Sequence, residues 1–237
     1  MLVKTKAIVI SSLKFQDKNL IVKCFTQSDG LKSYFVRGAF SSGKSTQKAA
    51  YFQPLTLLEI EASHKNKGTL EHFREVKISA PFHSIHSDVV KSAMVLFLSE
   101  MLHHAIKEEE KNEPLFAFLE TALHWLDHHD ELANFHLILL LETAKFLGFY
   151  PDLSDNHKPF FEMTEGVFAD VQAPSSLSDV DSNLLKKLTT LRFDNAAKAF
   201  HVSERQRLLK ILVDYYSHHL DGFQKPKSLE VLAEVFS

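Results

Sequence analysis

Residues 38–45 read Gly-Ala-Phe-Ser-Ser-Gly-Lys-Ser: a glycine, four residues, then Gly-Lys-Ser. In that spacing backbone N–H groups can wrap phosphates, the lysine can reach the terminal ones, and the serine hydroxyl can hold magnesium. Taken alone, the motif points to ATP or GTP hydrolysis. The chemistry also requires a parallel-sheet strand before the loop and a helix of about three turns after it. Pro54 and the β-rich run Leu55–Glu61 begin nine residues past Ser45, too soon for such a helix. We read the match as a coincidence, and a P-loop nucleotide hydrolase is the alternative function.

Other residue types able to do chemistry are scattered. The single cysteine, Cys24, lies in the strand-like run Leu20–Thr26 with no activating partner suggested, and it rules out an internal disulfide framework. Among fourteen histidines, His124 and His128 stand one helical turn apart, as in a zinc-protease helix. Trp125 occupies the place of the general-base glutamate, so these read as solvated helix histidines. No catalytic set and no cofactor emerges.

The elements around these residues change character near residue 80. Up to that point the apolar residues form five short β-rich runs: KAIVIS, NLIVKCFT, LKSYFVRG, LTLLEIE and GTLEHFREVKI. Asp17-Lys18-Asn19, Ser28-Asp29-Gly30 and Asn66-Lys67-Gly68 separate them as turns. Five strands without a long intervening helix predict a small OB-type β-barrel over residues 1–80. An all-α domain over 81–237 comes next, which makes the chain α+β. Its expected helices run from Asp88 to Glu110, from about Pro114 to about His129, from Glu131 to Leu147, and to Leu220 from a capping box at Ser203 and Gln206. Residues 151–182 read as irregular, with KPFFEM and EGVFAD forming a small hairpin around Gly166. Apolar runs such as Leu137–Leu141 are far too short to span a bilayer, and nothing at the start reads as a signal peptide. A cytoplasmic location is expected.

Charge divides in step with pattern. Residues 1–80 carry 13 Lys/Arg against 6 Asp/Glu, and residues 88–182 carry 5 against 18. Residues 183–229 return to 9 against 4. Basic blocks flanking an acidic one suggest a polyanion-binding surface beside a segment that faces something else.

The run from Phe15-Gln16-Asp17-Lys18 through IVKCFT, Asp29-Gly30-Leu31 and VRGAFSSGKSTQKAAYFQPLTLLEIE resembles the RecO family of bacterial recombination mediators. Arg37, Gly38, Ala39, Ser45, Ala49, Ala50, Gln53 and Pro54 fall at that family's loop and strand-opening positions. The likeness extends to Leu147-Gly148-Phe149-Tyr150-Pro151, and from His219-Leu220 to Lys227-Ser228-Leu229. Many relatives carry a four-cysteine zinc module after the Gly-x-x-Pro motif. Here residues 151–175 offer only Asp152, Asp155, His157, Met163 and Asp170, a poor tetrahedral cage. We expect no zinc there and apolar packing in its place.

An OB barrel binds single strands by combining a basic groove for phosphates with rings that stack on bases. The candidate DNA contacts are Lys14, Lys18, Lys23, Lys32, Arg37, Lys44 and Lys48, with Phe40 as the exposed stacking ring. Arg205, Arg207 and Lys210 form a second basic group on the last long helix. The resemblance implies a non-enzymatic, nucleoid-associated mediator that binds single- and double-stranded DNA and anneals strands. It also implies binding of the C-terminal tail of the single-strand-binding protein SSB and, with RecR, help for RecA in replacing SSB. That tail is acidic with an apolar end, which needs an apolar slot with a cation at its mouth. Phe135, Leu141 and Lys145 are the candidate slot, with the helix of Arg205, Arg207 and Lys210 as the other location.

Overall fold

The structure is a computed structural model of the 237-residue chain, and it describes residues 1–40, 49–65, 69–107, 111–195 and 199–236. Period-two burial organises the first part. Strands β1 (Leu2–Phe15), β2 (Asn19–Thr26), β3 (Gly30–Val36), β4 (Leu57–Ser63) and β5 (His72–Ile78) form one antiparallel sheet in the order β3-β2-β1-β4-β5. Alternate residues Leu20, Val22, Cys24, Tyr34 and Val36 point inward with Ala7, Val9, Leu58, Ile60 and Phe52. Burial pushes the Cys24 thiol far above its ordinary pKa, as befits an inert core residue.

Gly30, at φ 66°, supplies the left-handed backbone at the β2–β3 turn, where the Thr26 hydroxyl donates to its carbonyl at 2.8 Å. The two edge strands of the sheet also meet. Phe35 N–H donates to Glu71 O at 2.9 Å and Glu71 N–H to Ser33 O at 2.8 Å, a parallel bridge that brings the edges together as an OB-type barrel requires.

The chain separates into two compact units, Met1–His128 and His129–Ser237. In the first, helices α1 (Val89–Ala105) and α2 (Glu113–His128) accompany the sheet. The α1 helix packs on β1, and the Phe25 ring of β2 lies 5.9 Å from Phe116 of α2. The Asp88 carboxylate caps α1 by accepting Lys91 N–H at 2.9 Å. Asp127 accepts the backbone N–H groups of His83, Ser84 and Ile85 at 2.9, 2.8 and 3.2 Å, which pins the connection between sheet and helices. Burial alone would raise its pKa, but these donors hold it at about 2. By compactness α1 and α2 belong with the sheet, whereas composition and pattern divide the chain at 80/81.

The second unit holds α3 (Phe135–Phe146), the hairpin β6 (Phe160–Glu162) and β7 (Val167–Ala169), α4 (Asp179–Thr189), α5 (Val202–His219) and α6 (Leu229–Val235). Two tyrosines of α5 tie it together: Tyr215 donates to Phe149 O and Tyr216 to Leu140 O, each at 2.8 Å. Gly148, at φ 86°, ends α3 where the sequence places its stop. Phe161 and Phe168, 5.0 Å apart, pack the expected hairpin together with Tyr215.

Several boundaries differ from the sequence reading. The α1 helix stops at Ala105, because Ile106 turns extended with its side chain only 4% exposed. The α3 helix starts at Phe135 behind Asn134, not at Glu131. The capping box of α5 lies two residues early, with Glu204 accepting the His201 N–H at 2.8 Å, so Ser203 is inside the helix. The α4 helix begins within the segment read as irregular, capped by Ser178 accepting Asp181 N–H at 3.1 Å.

Candidate nucleic-acid interface

On the outer face of β1–β2–β3, cross-strand register aligns Leu13, Ile21 and Phe35 in one row and Ser11, Lys23 and Ser33 in another. Leu13 is 67% exposed and Phe15 41%. The Phe15 ring meets Phe35 edge-on at 6.2 Å, and Phe35 meets His72 edge-on at 6.1 Å, so the rings continue across the seam between β3 and β5. The turn after β1 and the segment after β3 are tied together. Gly38 N–H donates to Asn19 Oδ1 at 3.1 Å and Phe40 N–H to Lys18 O at 3.3 Å.

That tie holds Phe40 at the surface, 47% exposed, with the Lys14 ammonium 5.7 Å from its ring centre. Exposed Lys14, Lys18 and Arg37 cluster at this end of the sheet. Lys23 stands on the same outer face, close enough to the far end of α1 that, behind burial, its charge lowers the pKa values of His103 and His104. Lys18, Lys23 and Arg37 form no ion pair among the described residues.

The other half of the sheet is built differently. Rows Lys4–Glu61–Glu75 and Lys6–Glu59–Lys77 cross β1, β4 and β5 and line an open groove of about 400 Å³. Glu61 pairs with Lys4 at 3.2 Å and Arg74 at 3.0 Å, Glu75 with Lys77 at 2.7 Å, and Glu120 of α2 with Lys6 at 2.8 Å. The hydrogen bond and charge of Lys77 hold the Glu75 carboxyl below its ordinary pKa. Cations on this half are neutralised in place.

The other sequence candidates fall in different places. Lys32 lies on the inward side of β3 and is 6% exposed, because it alternates with Leu31 and Ser33; it is not on the outer face with the others. Tyr34 is fully buried, in a stack with Phe73 at 4.1 Å. Lys44 and Lys48 lie outside the described residues, as do residues 41–45 of the GxxxxGKS motif. The next elements along the chain are a one-turn 3₁₀ helix, Ala49–Phe52, and then β4 in an antiparallel sheet, so the nucleotide-hydrolase alternative has no support.

In the second unit, Arg207 pairs with Asp181 at 2.6 Å and Arg205 Nη1 donates to Phe200 O at 2.8 Å, leaving Lys210 the most openly presented of the three. Phe135 and Leu141 are each 2% exposed, with Phe135 stacked on Phe193 at 4.8 Å; of that candidate slot only Lys145 is exposed. Sequence reasoning missed His72, which joins the ring row only because the Tyr34–Glu71 bridge closes the sheet. The alternation Leu13-x-Phe15 at the exposed end of β1 was the available signal for an outward apolar row.

A five-stranded OB-type sheet with rings and Lys23 on one outer face and exposed cations at its end, followed by a helical unit, fits a nucleic-acid-binding class of architecture. The sequence matches the family models Recombination protein O N terminal over residues 1–82 and Recombination protein O C terminal over residues 86–230. DNA repair protein RecO of Flavobacterium psychrophilum is 71% identical and that of Flavobacterium johnsoniae 68%, each over the full length of both chains. DNA repair protein RecO of Bacteroides fragilis is 40% identical, again over both full lengths. The chain belongs to the RecO family.

Proposed function

We propose that this protein is a recombination mediator in DNA repair that binds single-stranded DNA across β1–β2–β3 and does so without catalysis. One observation carries the reading: the Phe15 and Phe35 rings share the outer face with Lys23, and the exposed Phe40 ring, with the Lys14 ammonium 5.7 Å from its centre, stands with exposed Lys18 and Arg37 at the end of that sheet, whereas the cations of the opposite half are already paired. Phosphates track the cations and unstacked bases lie on the rings. Holding two strands in this way without reading their sequence lets complementary bases find each other, so annealing needs no nucleotide. Duplex DNA is held more weakly, through phosphates alone, because its paired bases are not free to stack.

Partner exchange fits the second unit. The acidic, apolar-ended tail of SSB would dock beside Arg205 on α5 rather than at Phe135 and Leu141, which are core residues. RecR would act with the chain in bringing RecA onto DNA, in the cytoplasm at the nucleoid. Among the described residues no helix is long and apolar enough to cross a membrane.

An anisotropy titration with labelled single-stranded DNA, run with and without ATP, tests the reading. Affinity is expected to be independent of ATP, and Lys44→Ala is expected to change DNA binding only modestly. Micromolar ATP binding lost in Lys44→Ala, or DNA binding that ignores salt, would overturn it.

A further inference from the structure

Helices α3, α5 and α6 enclose a narrow slot lined by His136, Arg205, Leu209, Leu232, Ala233 and Phe236. Its floor is polar and unsatisfied. The Arg205 Nε and the His136 Nδ1 are buried without a hydrogen-bond partner, and His136 is 2% exposed. Burial, with Arg205 nearby, lowers the His136 pKa to about 3, so the imidazole is neutral and, among the described residues lining the slot, the guanidinium carries the charge. Orphaned buried donors cost stability and mark a place where an acceptor belongs. The cover is apolar: Leu232 is fully buried and the Phe236 ring lies 5.2 Å from His136. The space left beneath α6 is about 10 Å³, room for roughly one water molecule.

The α6 helix therefore fits the apolar half of the slot and leaves the cationic half unanswered. Its sequence, Leu229-Glu-Val-Leu-Ala-Glu-Val235 followed by Phe236, joins acidic residues to apolar ones. That is the chemistry of the tail proposed to dock beside Arg205. At seven residues it is too short to persist as a helix without its packing.

We propose that α6 is a resident, incomplete occupant of a peptide-docking slot, a built-in competitor that an acidic peptide with an apolar end and a free carboxylate displaces. The incoming apolar side chain replaces Phe236 and Leu232, and the carboxylate takes the Arg205 Nε–H that α6 leaves without a partner. The inference rests on the docking of such a tail beside Arg205. Because seated α6 reduces the fraction of open slots, apparent affinity for the peptide is lowered by that fraction.

The experiment measures anisotropy of a fluorescein-labelled acidic nonapeptide ending in Leu-Phe, with its C-terminal amide as control. The proteins are the full chain, Phe236→Ala, Leu232→Ala and Arg205→Ala. Phe236→Ala and Leu232→Ala are expected to bind about tenfold more tightly than the unaltered chain, a gain that misfolding cannot produce. Arg205→Ala and the amide control are expected to lose binding. If Arg205→Ala loses binding while both α6 variants match the unaltered chain, the competitor role is overturned and tail docking stands. If no protein binds the peptide, or Arg205→Ala binds it as well as the unaltered chain, both are overturned.

Discussion

The two halves of the sheet's outer surface are made from similar material and arranged to opposite ends. Both present cations. Around β4 and β5 each row places a glutamate opposite a lysine, and Glu61 alone answers both Lys4 and Arg74. Around β2 and β3 the outward cation Lys23 has Ser11 and Ser33 as its row partners, and Phe35 stands in the neighbouring row. Lysine count therefore says little about where a polyanion binds. What matters is whether the facing strand supplies a carboxylate, and the sheet register decides that.

Removing the rings should break the contrast most severely. Stacking contributes about 1–3 kcal/mol per base, so Phe15→Ala with Phe40→Ala should weaken single-stranded DNA binding at least about 30-fold. Lys4→Ala and Lys77→Ala on the paired half should stay within about twofold, since exposed ion pairs have little net effect. Equal losses on the two halves would abolish the distinction.

Glu61→Gln should move the paired half toward the other. It releases Lys4 and Arg74 together, and each cation that then engages a phosphate adds about 0.7 to the log–log salt slope on a single strand. Affinity at low salt should rise and the slope should steepen by up to about 1.4. A Glu61→Gln slope equal to that of the unaltered protein would mean the strand never reaches this half.

Single substitutions on the ring half should have smaller, graded effects. Lys14→Ala and Arg37→Ala should each flatten the slope by about 0.7, from a total of about 3 for Lys14, Lys18, Lys23 and Arg37 together. Lys14→Ala should cost more than Arg37→Ala, because Lys14 also holds the Phe40 ring. The smallest expected effect is none at all. The hairpin of the second unit is packed by Phe161, Met163 and Phe168, so a chelator should leave the melting temperature unchanged. A drop on chelation, or one equivalent of bound zinc, would reverse the reading of residues 151–175.

Strands were the most legible part of the sequence, because a two-residue period and a turn at Gly30 leave few alternatives for a run such as Asn19–Thr26. Helix α4 was hidden because Asp179–Thr189 is short and polar on its exposed side, although Ser178 followed by Asp181 carries a capping signal. Candidate cations were legible as types but not as faces. Alternation could have turned Lys32 inward, since Lys32 and Tyr34 share a parity with Val36. The neutralisation of Lys4 by Glu61 and of Lys6 by Glu120 depended on contacts between elements distant in sequence, whereas that of Lys77 by Glu75 lies within β5. His72 depended on closure of the sheet, which no local pattern encodes.

Among the described residues two backbone hydrogen bonds join the edges where the sheet closes, those from Phe35 to Glu71 and from Glu71 to Ser33. A ring of strands fastened at one rung has a weakest link, and opening there costs far less than unfolding the whole sheet. The amides of Phe35 and Glu71 should accordingly exchange with solvent well before those in the middle of β1. Each opening also parts Phe35 from His72, so the row of rings is interrupted and remade with the seam. On the path proposed above, a strand lying across it would meet a grip that releases on its own schedule, which suits a protein whose task is to pass DNA onward.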